Sequence, residues 1–285
     1  MKMVRTVTEL REWSRALRCA AGTRENNTIG FVPTMGALHA GHASLIRAAA
    51  ASCAHVAVSI FVNPTQFGPN EDYARYPRTF EADCALAGAK GADVIFAPSV
   101  EELYPAGGAT FVEVEGLSDR LDGASRPGHF RGVATVVAKL LIAAEPDRAF
   151  FGQKDAAQVA VLRRMVADLR LATELVVCPI VRDADGLALS SRNTYLSPTE
   201  RVRALTLSRA IRRVEELVAQ GERGSAPLIA AARRVFAAEP SILVDYITLV
   251  DWATLEPVET ATPGTLFAVA AWAGSTRLID NTVLR

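Results

Sequence analysis

The segment FVPTMGALHAGHASLI, residues 31–46, predicts a strand, a loop and the beginning of a helix. The apolar run TIGFV (28–32) leads into Pro33, which cannot donate a hydrogen bond within a sheet. Gly36 and Gly41 lie in the loop that follows, and apolar residues then recur at helical spacing. Because a strand that passes directly into a helix is the repeating unit of a parallel sheet, this segment predicts an α/β fold.

The same alternation continues through the first 180 residues. Short apolar runs rich in Val, Ile and Phe alternate with segments of helical length. These further strand candidates are HVAVSIFV (55–62), ADVIFA (92–97), DRAFF (147–151) and ELVVCPI (174–180). Such continuous apolar strands are typical of a parallel sheet that is covered by helices on both faces, so residues 1–180 are predicted to form a doubly wound α/β domain. Its ligand is expected at the carboxyl ends of the strands.

After residue 180 the pattern changes. Two predicted helices, at about 198–220 and 226–238, precede three consecutive strand candidates. These strands are SILVDYITLV (241–250), TLFAVAAWA (265–273) and TRLIDNTVL (276–284). Helices followed by a run of strands favour a smaller α+β domain with an antiparallel sheet, which is predicted over residues 181–285.

Composition excludes several classes of protein. The chain has 285 residues, half of them apolar, and 31 basic residues balance 31 acidic ones. This argues against disorder, and nothing in the overall charge indicates nucleic acid or a membrane surface as a partner. The charged N-terminus lacks the apolar core of a secretory signal, and the longest apolar stretch, 133–144, is too short to span a membrane. A soluble, cytoplasmic protein is expected.

The four cysteines, Cys19, Cys53, Cys84 and Cys178, are widely spaced and include no C-x-x-C pair. This spacing favours reduced, mostly buried thiols over disulfides or a zinc site.

Two of the four histidines, His39 and His42, lie at the predicted start of a helix. The N-terminal turn of a helix presents unpaired N–H groups, and imidazoles placed there can donate to phosphate oxygens. Metal binding is a weaker interpretation, because helical metal pairs are usually four residues apart and no third ligand is evident. A purely structural role in capping the helix stays open.

Polar side chains also follow other predicted strands or lie at the joint between the two domains. They are Asn63 and Gln66 in 59–79, Arg126 in 123–133, Lys154, Asp155 and Gln158 after Gly152, and Ser190, Ser191 and Arg192 in 185–197. We expect them at one rim of the sheet, where cationic and hydroxyl groups without a carboxylate pair suit stabilisation of a polyphosphate. Neither G-x-x-x-x-G-K-[ST] nor G-x-G-x-x-G occurs, which argues against a P-loop kinase and a dinucleotide dehydrogenase.

Five motifs together resemble the pantothenate synthetase family, also called pantoate–β-alanine ligases. They are PTMGALHAGH (33–42), FVNPTQF (61–67), RPGHFRGV (126–133), FFGQKDAAQ (150–158) and DGLALSSRN (185–193). HAGH is similar to the H-x-G-H signature of the nucleotidyltransferase superfamily. The resemblance extends over nearly the whole chain, including 92–105 and 244–251.

The resemblance implies an ATP- and Mg²⁺-dependent ligase that joins pantoate to β-alanine through a pantoyl adenylate. It also implies a cytoplasmic homodimer with a Rossmann-like N-terminal domain and a C-terminal lid. The phosphate contacts and catalytic roles would fall to His39, His42, Lys154, Ser190, Ser191 and Arg192. The remaining ATP site would include Met35, Gly152, Asp155, Val181 and Leu189. The substrate site would include Pro33, Met35, Asn63, Gln66, Tyr76, Arg126 and Gln158.

Two positions depart from the family pattern. Leu189 replaces the usual methionine before the double serine, which preserves apolar volume, and Ala157 replaces a second glutamine before Gln158. Two other functions stay open: another nucleotidyltransferase that keeps its adenylate or cytidylate product, and a non-catalytic nucleotide-binding protein. The paired glutamines disfavour the first, and the complete set of cationic residues disfavours the second.

Overall fold

The structure is a computed structural model that describes residues 1–19, 27–69 and 71–285. The chain forms two compact units. We call Met1–Gly152 with Val161–Pro179 the N-terminal unit, and Gln153–Ala160 with Ile180–Arg285 the C-terminal unit. The expected division into 1–180 and 181–285 differs from this grouping at Gln153–Ala160, which packs with the C-terminal residues, and at Ile180, which begins the second stretch of the C-terminal unit.

A parallel sheet forms the centre of the N-terminal unit. Its strands are β1 (Lys2–Val4), β2 (Ile29–Thr34), β3 (His55–Ile60), β4 (Val94–Phe96), β5 (Arg148–Gly152) and β6 (Glu174–Cys178). In the described residues these six strands lie in the order β1-β4-β3-β2-β5-β6, and every pair is parallel. The predicted doubly wound sheet is confirmed, and β1 is a short edge strand that the sequence pattern did not reveal.

The helices of this sheet alternate with its strands as predicted. They are α1 (Val7–Cys19), α2 (Ala40–Ser52), α3 (Phe80–Ala89), α4 (Val100–Leu103), α5 (Asp122–Ser125), α6 (His129–Ala144) and α7 (Ala156–Asp168). Apolar residues of the strands and of α2 form one buried cluster that includes Val32, Ile46, Val58, Ile95 and Phe150. None of the helices in the described ranges is long and apolar enough to cross a membrane.

The strand order fixes where a ligand can bind. From β2 the chain adds β3 and β4 on one side, and it then adds β5 and β6 on the other side. The order therefore reverses between β2 and β5, which are paired at Gly30↔Arg148 and Phe31↔Ala149. In open α/β sheets ligands bind beyond the carboxyl ends of the strands at such a reversal. The loop that carries His39 leaves the sheet at the end of β2, and Gly152 ends β5.

The C-terminal unit contains the predicted antiparallel sheet and two helices. Its elements are α8 (Pro198–Ala219), α9 (Ser225–Ala237), β7 (Ile242–Asp251), β8 (Thr265–Ala273) and β9 (Thr276–Val283). β8 lies between β7 and β9, and both pairings are antiparallel. A capping box between Ser197 and Glu200 begins α8, since the serine hydroxyl accepts from the Glu200 amide and the glutamate accepts from the Ser197 amide. One apolar core joins these helices to the sheet.

The cysteines are free thiols. Cys178 is buried, Cys53 and Cys84 are half-buried, and Cys19 at the end of α1 is exposed. The expectation of mostly buried thiols is therefore wrong for Cys19, because the last turn of α1 places that side chain at the surface.

Candidate active site

The loop between β2 and α2 is held in shape by a buried carboxylate. Asp83, a residue of α3 that is 2% exposed, accepts hydrogen bonds from the amides of Ala37 (2.9 Å) and Leu38 (2.7 Å). Thr79 Oγ1 donates to the same carboxylate at 3.0 Å. The loop needs this support because Gly36 (φ 82°) and the non-glycine Ala37 (φ 49°) both adopt left-handed backbone conformations.

His39 and His42 form a reciprocal cap at the start of α2. His39 Nδ1 accepts from the Gly41 amide at 3.1 Å, and His42 Nδ1 accepts from the His39 amide at 3.3 Å. The two ring centroids lie 4.2 Å apart. An Nδ1 that accepts a hydrogen bond carries no proton, so each neutral ring holds its proton on Nε2 and presents that atom as a donor. Capping and phosphate binding are therefore compatible, because they use different nitrogens of each ring.

The loop after β3 contains a buried network of amide and hydroxyl groups. Asn63, 1% exposed, donates through Nδ2 to Gln66 Oε1 (3.0 Å) and to the Gly132 carbonyl (3.2 Å). Its Oδ1 accepts from Thr65 Oγ1 (2.9 Å) and from Tyr104 OH (2.8 Å). The side chain of Asn63 thus orients Gln66, which the sequence predicted as a substrate contact. Burial raises the pKa of Tyr104 against the effect of these hydrogen bonds, so its hydroxyl remains a donor at neutral pH.

Arg126, a predicted substrate contact, is engaged with protein groups. Its guanidinium forms a bidentate pair with Glu71, at 2.7 Å from Nε and 2.6 Å from Nη2. Nη1 donates to His129 Nε2 at 2.9 Å, so His129 carries its proton on Nδ1, which lies 2.8 Å from the Gln66 carbonyl. Burial would raise the pKa of Glu71, but the hydrogen bonds and charge of Arg126 outweigh it and lower that pKa.

Three other predicted substrate contacts lie in the same unit. Tyr76 is 5% exposed, and its ring meets the ring of Phe67 edge-on at 5.9 Å. Pro33 and Met35, at and just after the end of β2, are half-buried. The structure therefore places Pro33 and Met35 beside the capped loop, whereas Tyr76 is mainly packed within the protein.

In the C-terminal unit, Lys154 lies on a single 3₁₀ turn, Gln153–Asp155, that directly precedes α7. Its Nζ lies 3.6 Å from Asp155 Oδ1, and the Lys154 side chain is 20% exposed. Gln158 is half-buried one turn later, and the departure Ala157 is buried. Gly152, at the end of β5, has open space where a Cβ would lie, so this position can admit a close approach by a ligand.

The segment from Val181 to Arg192 folds back on itself. The Leu189 amide donates to the Val181 carbonyl at 3.0 Å, and Arg182 and Ala188 form an isolated antiparallel bridge. Ser190 Oγ accepts from the Arg192 amide at 3.3 Å and begins a 3₁₀ helix, Ser191–Tyr195. The hairpin-like turn thus presents the two serines and the arginine in succession on an ordered backbone.

Sequence reasoning missed several residues that shape these loops. Asp83, Glu71, Asp280 and Asn281 are polar groups that hold the predicted site residues rather than belonging to their motifs. A signal was present for the last two, since Asp280 and Asn281 interrupt an apolar strand pattern, and buried polar residues in a strand need partners.

No group of three or more His, Cys, Asp or Glu side chains in the described ranges is arranged to hold a metal ion.

Comparison with known proteins supplies the family context. The model of the pantoate–β-alanine ligase family matches residues 2–283. A pantothenate synthetase of Acidobacterium capsulatum is 60% identical over 100% of this chain and 97% of its own length. A second one, of Moorella thermoacetica, is 52% identical over 100% of this chain and 99% of its own length.

Solved structures agree with these sequence relatives. A crystal structure of the pantothenate synthetase of Thermus thermophilus superposes with a TM-score of 0.92 at 48% identity, covering 99% of both chains. The pantoate–β-alanine ligase of Francisella tularensis, crystallised with βγ-ATP and β-alanine, superposes with a TM-score of 0.79 at 33% identity, covering 99% of this chain and 97% of that one.

Proposed function

Since the chain belongs to the pantoate–β-alanine ligase family, we propose that it condenses pantoate with β-alanine to form pantothenate at the expense of ATP. The observation that carries this proposal is the family match over residues 2–283, with every motif of the sequence analysis inside the matched range. The nucleotide and β-alanine bound to the Francisella tularensis ligase name two of the three substrates.

The chemistry explains why ATP is needed. An amine cannot displace oxide from a bare carboxylate at neutral pH. Attack of a pantoate carboxylate oxygen on the α-phosphorus of ATP releases pyrophosphate and forms pantoyl adenylate, whose leaving group is AMP. The amine of β-alanine then attacks the acyl carbon, loses a proton and expels AMP. The protein must hold the reactants and stabilise the charge that develops on the phosphates.

The residues that would stabilise this charge are the six predicted from the sequence. We assign His39 and His42 to the phosphates through their Nε2 protons, because each Nδ1 is engaged by the backbone of α2. Lys154 and Arg192 would add positive charge, and Ser190 and Ser191 would add hydroxyl donors. Gly152, Asp155, Met35, Val181 and Leu189 would complete the ATP site.

Pantoate would be bound by the amides of Gln66 and Gln158. Gln66 is favoured because its side chain already accepts from Asn63 and so has a fixed orientation. Pro33 and Met35 would form an apolar wall of the pantoate site. Asn63, Tyr76 and Arg126 would act indirectly, by shaping the pantoate site. The pairing of Arg126 with Glu71 supports such an indirect role.

Magnesium would enter with the nucleotide. We assign the ion to the phosphate oxygens, where it would neutralise charge that the protein cations do not reach. The proposal further includes a homodimer in the cytoplasm, as the family resemblance implies.

The decisive experiment supplies the purified protein with ATP, Mg²⁺, pantoate and β-alanine and follows AMP and pantothenate. The expected result is AMP formation that depends on both acids, with one AMP per pantothenate. Pyrophosphate released with pantoate alone in a single turnover, while AMP stays bound as the acyl adenylate, would identify the adenylate step. A nucleotidyltransferase of another kind would form no β-alanine-dependent AMP, and a non-catalytic binding protein would form neither product.

A further inference from the structure

Two adjacent buried residues of β9 reach two separate segments of the C-terminal unit. Asp280 is 2% exposed and Asn281 is 3% exposed. One contacts the segment that leads to Ser190, and the other contacts the turn that carries Lys154. Neither belongs to a motif of the sequence analysis, and a strand that buries an aspartate beside an asparagine requires partners for both.

Asn281 holds the backbone of the Lys154 turn. Its Nδ2 donates to the carbonyl oxygens of Gln153 (3.0 Å) and Lys154 (2.9 Å). Its Oδ1 accepts from Gln153 Nε2 at 3.2 Å. Trp252 secures Ala156, two residues after Lys154, since its indole Nε1 donates to the Ala156 carbonyl at 2.9 Å. Both polar atoms of the Asn281 side chain therefore bind this turn. Together with Trp252 they fix the backbone around Lys154 from two sides.

Asp280 holds the other segment through Arg182. The guanidinium donates to both carboxylate oxygens, at 2.7 and 2.9 Å, and Nη1 also donates to the Gly186 carbonyl at 3.2 Å. Burial would lower the pKa of Arg182, but the Asp280 carboxylate outweighs it and raises that pKa. Asp280 Oδ1 also accepts from the backbone N–H of Asn281 at 2.8 Å, which links the Asp280 carboxylate to the main chain of its neighbour.

We propose that Asp280 and Asn281 are positioning residues that set the spacing between Lys154 and the Ser190–Arg192 segment. This inference rests on the proposed function, since it assumes that both groups act on the same polyphosphate. The physical reason is that a flexible lysine stabilises a transition state only from a fixed backbone, and a displacement of about 1 Å can cost about 10²-fold in rate. A rigid β strand provides a more accurate support than a loop.

The test is a double-mutant cycle on the full chain. Asn281→Ala and Lys154→Ala are compared singly and together, with pyrophosphate release from ATP and pantoate measured in single turnovers. If Asn281 acts through Lys154, Asn281→Ala should slow adenylate formation by about 30-fold in the wild-type background, which lies within the roughly 10²-fold expected for a displaced catalytic group. In the Lys154→Ala background the same substitution should slow it by less than about threefold. The KM for β-alanine should stay within about twofold in both single variants, since the effect is expected on the transition state.

Two further variants separate positioning from folding. Thr282→Val changes the next residue of β9, whose hydroxyl donates to Glu215 at the surface, and it should leave turnover within about twofold. Arg182→Lys keeps the charge beside Asp280 but loses the bidentate geometry, and it should slow adenylate formation by about five- to tenfold without unfolding the protein.

Equal slowing by Asn281→Ala with and without Lys154 would overturn the inference, as would full activity of Arg182→Lys. Wild-type protein that forms no β-alanine-dependent AMP would instead overturn the proposed function. The two failures are therefore distinguishable in the same set of assays.

Discussion

The two histidines of the β2–α2 loop illustrate how one side chain serves both fold and chemistry. Nδ1 of each ring accepts a backbone amide and so caps α2, which leaves Nε2 as the proton-bearing atom. The sequence could place these residues at a helix start and suggest an anion. It could not show the tautomers of the two rings. These depend on the hydrogen bonds from the His39 amide to His42 Nδ1 and from the Gly41 amide to His39 Nδ1.

The dual role predicts different outcomes for two substitutions of His39. Asparagine is a favourable N-cap, so His39→Asn should leave the free energy of unfolding within about 0.5 kcal/mol of wild type, whereas His39→Ala should lower it by about 1 kcal/mol. Both variants lose the Nε2 donor and should slow adenylate formation by about 10²-fold or more. Urea unfolding and single-turnover pyrophosphate release measure the two effects. If His39→Asn keeps wild-type turnover, the imidazole is a cap alone.

The Glu71–Arg126 pair makes a prediction about pH. The pKa of Glu71 is lowered in the folded protein, so its ionised form contributes stability above the pKa of an unfolded glutamate. That contribution is lost as the pH falls through the lowered folded value. The difference in free energy of unfolding between wild type and Glu71→Gln should therefore be constant near neutral pH and shrink below about pH 4.3, the ordinary glutamate value.

Urea unfolding at a series of pH values measures this difference. Glu113→Gln, at an exposed position, serves as the control and should change stability little at any pH. A Glu71→Gln effect that grows as the pH falls would contradict the assigned ion pair.

At the scale of elements, the packing of α6 on the Pro64–Gln66 turn sets the position of Gln66. A Cβ at Gly132 would lie 2.3 Å from the Thr65 carbonyl oxygen and 2.6 Å from the Gln66 amide nitrogen, both backbone atoms. From periodicity the sequence predicted helical segments between the strands, and it placed Asn63 and Gln66 in a polar segment that follows a strand. It could not predict their contact, since a glycine within a helix has no periodic signature and the partner lies 66 residues earlier, at Gln66.

Gly132→Ala should therefore push α6 away from the turn. We expect a loss of about 1–3 kcal/mol in the free energy of unfolding, the usual cost of overpacking, together with a raised KM for pantoate as Gln66 shifts. Gly68→Ala is the matched control, because the nearest atom to its Cβ would be 3.7 Å away. Unchanged stability and unchanged KM in Gly132→Ala would show that the close approach has no role in placing Gln66.

At the scale of the whole molecule, alternating apolar runs and helical segments were enough to predict the parallel sheet and the antiparallel sheet, because each depends on local periodicity. The strand order and the grouping of Gln153–Ala160 with the C-terminal unit depend on contacts between distant residues. Asn281 and Trp252, which bind that segment, lie about 100 residues or more beyond it and give no local sign of their partner. Because such contacts join distant residues, the sequence revealed the motif residues but not the residues that support them.

This grouping predicts how the chain responds to truncation at residue 180. A fragment of residues 1–180 keeps every strand of the parallel sheet but lacks Ser190–Arg192 and both anchors of the Lys154 turn. It should retain a cooperative thermal transition in far-ultraviolet circular dichroism, because the cluster of buried residues around β2, β3 and β5 is intact. Its rate of adenylate formation should fall by more than about 10³-fold, since several charge-stabilising groups are lost together.

The full chain assayed in parallel provides the reference. Adenylate formation by the fragment within tenfold of the full chain would mean that residues 181–285 are dispensable for the first half-reaction, and that the phosphate-binding role assigned to Ser190, Ser191 and Arg192 must be withdrawn.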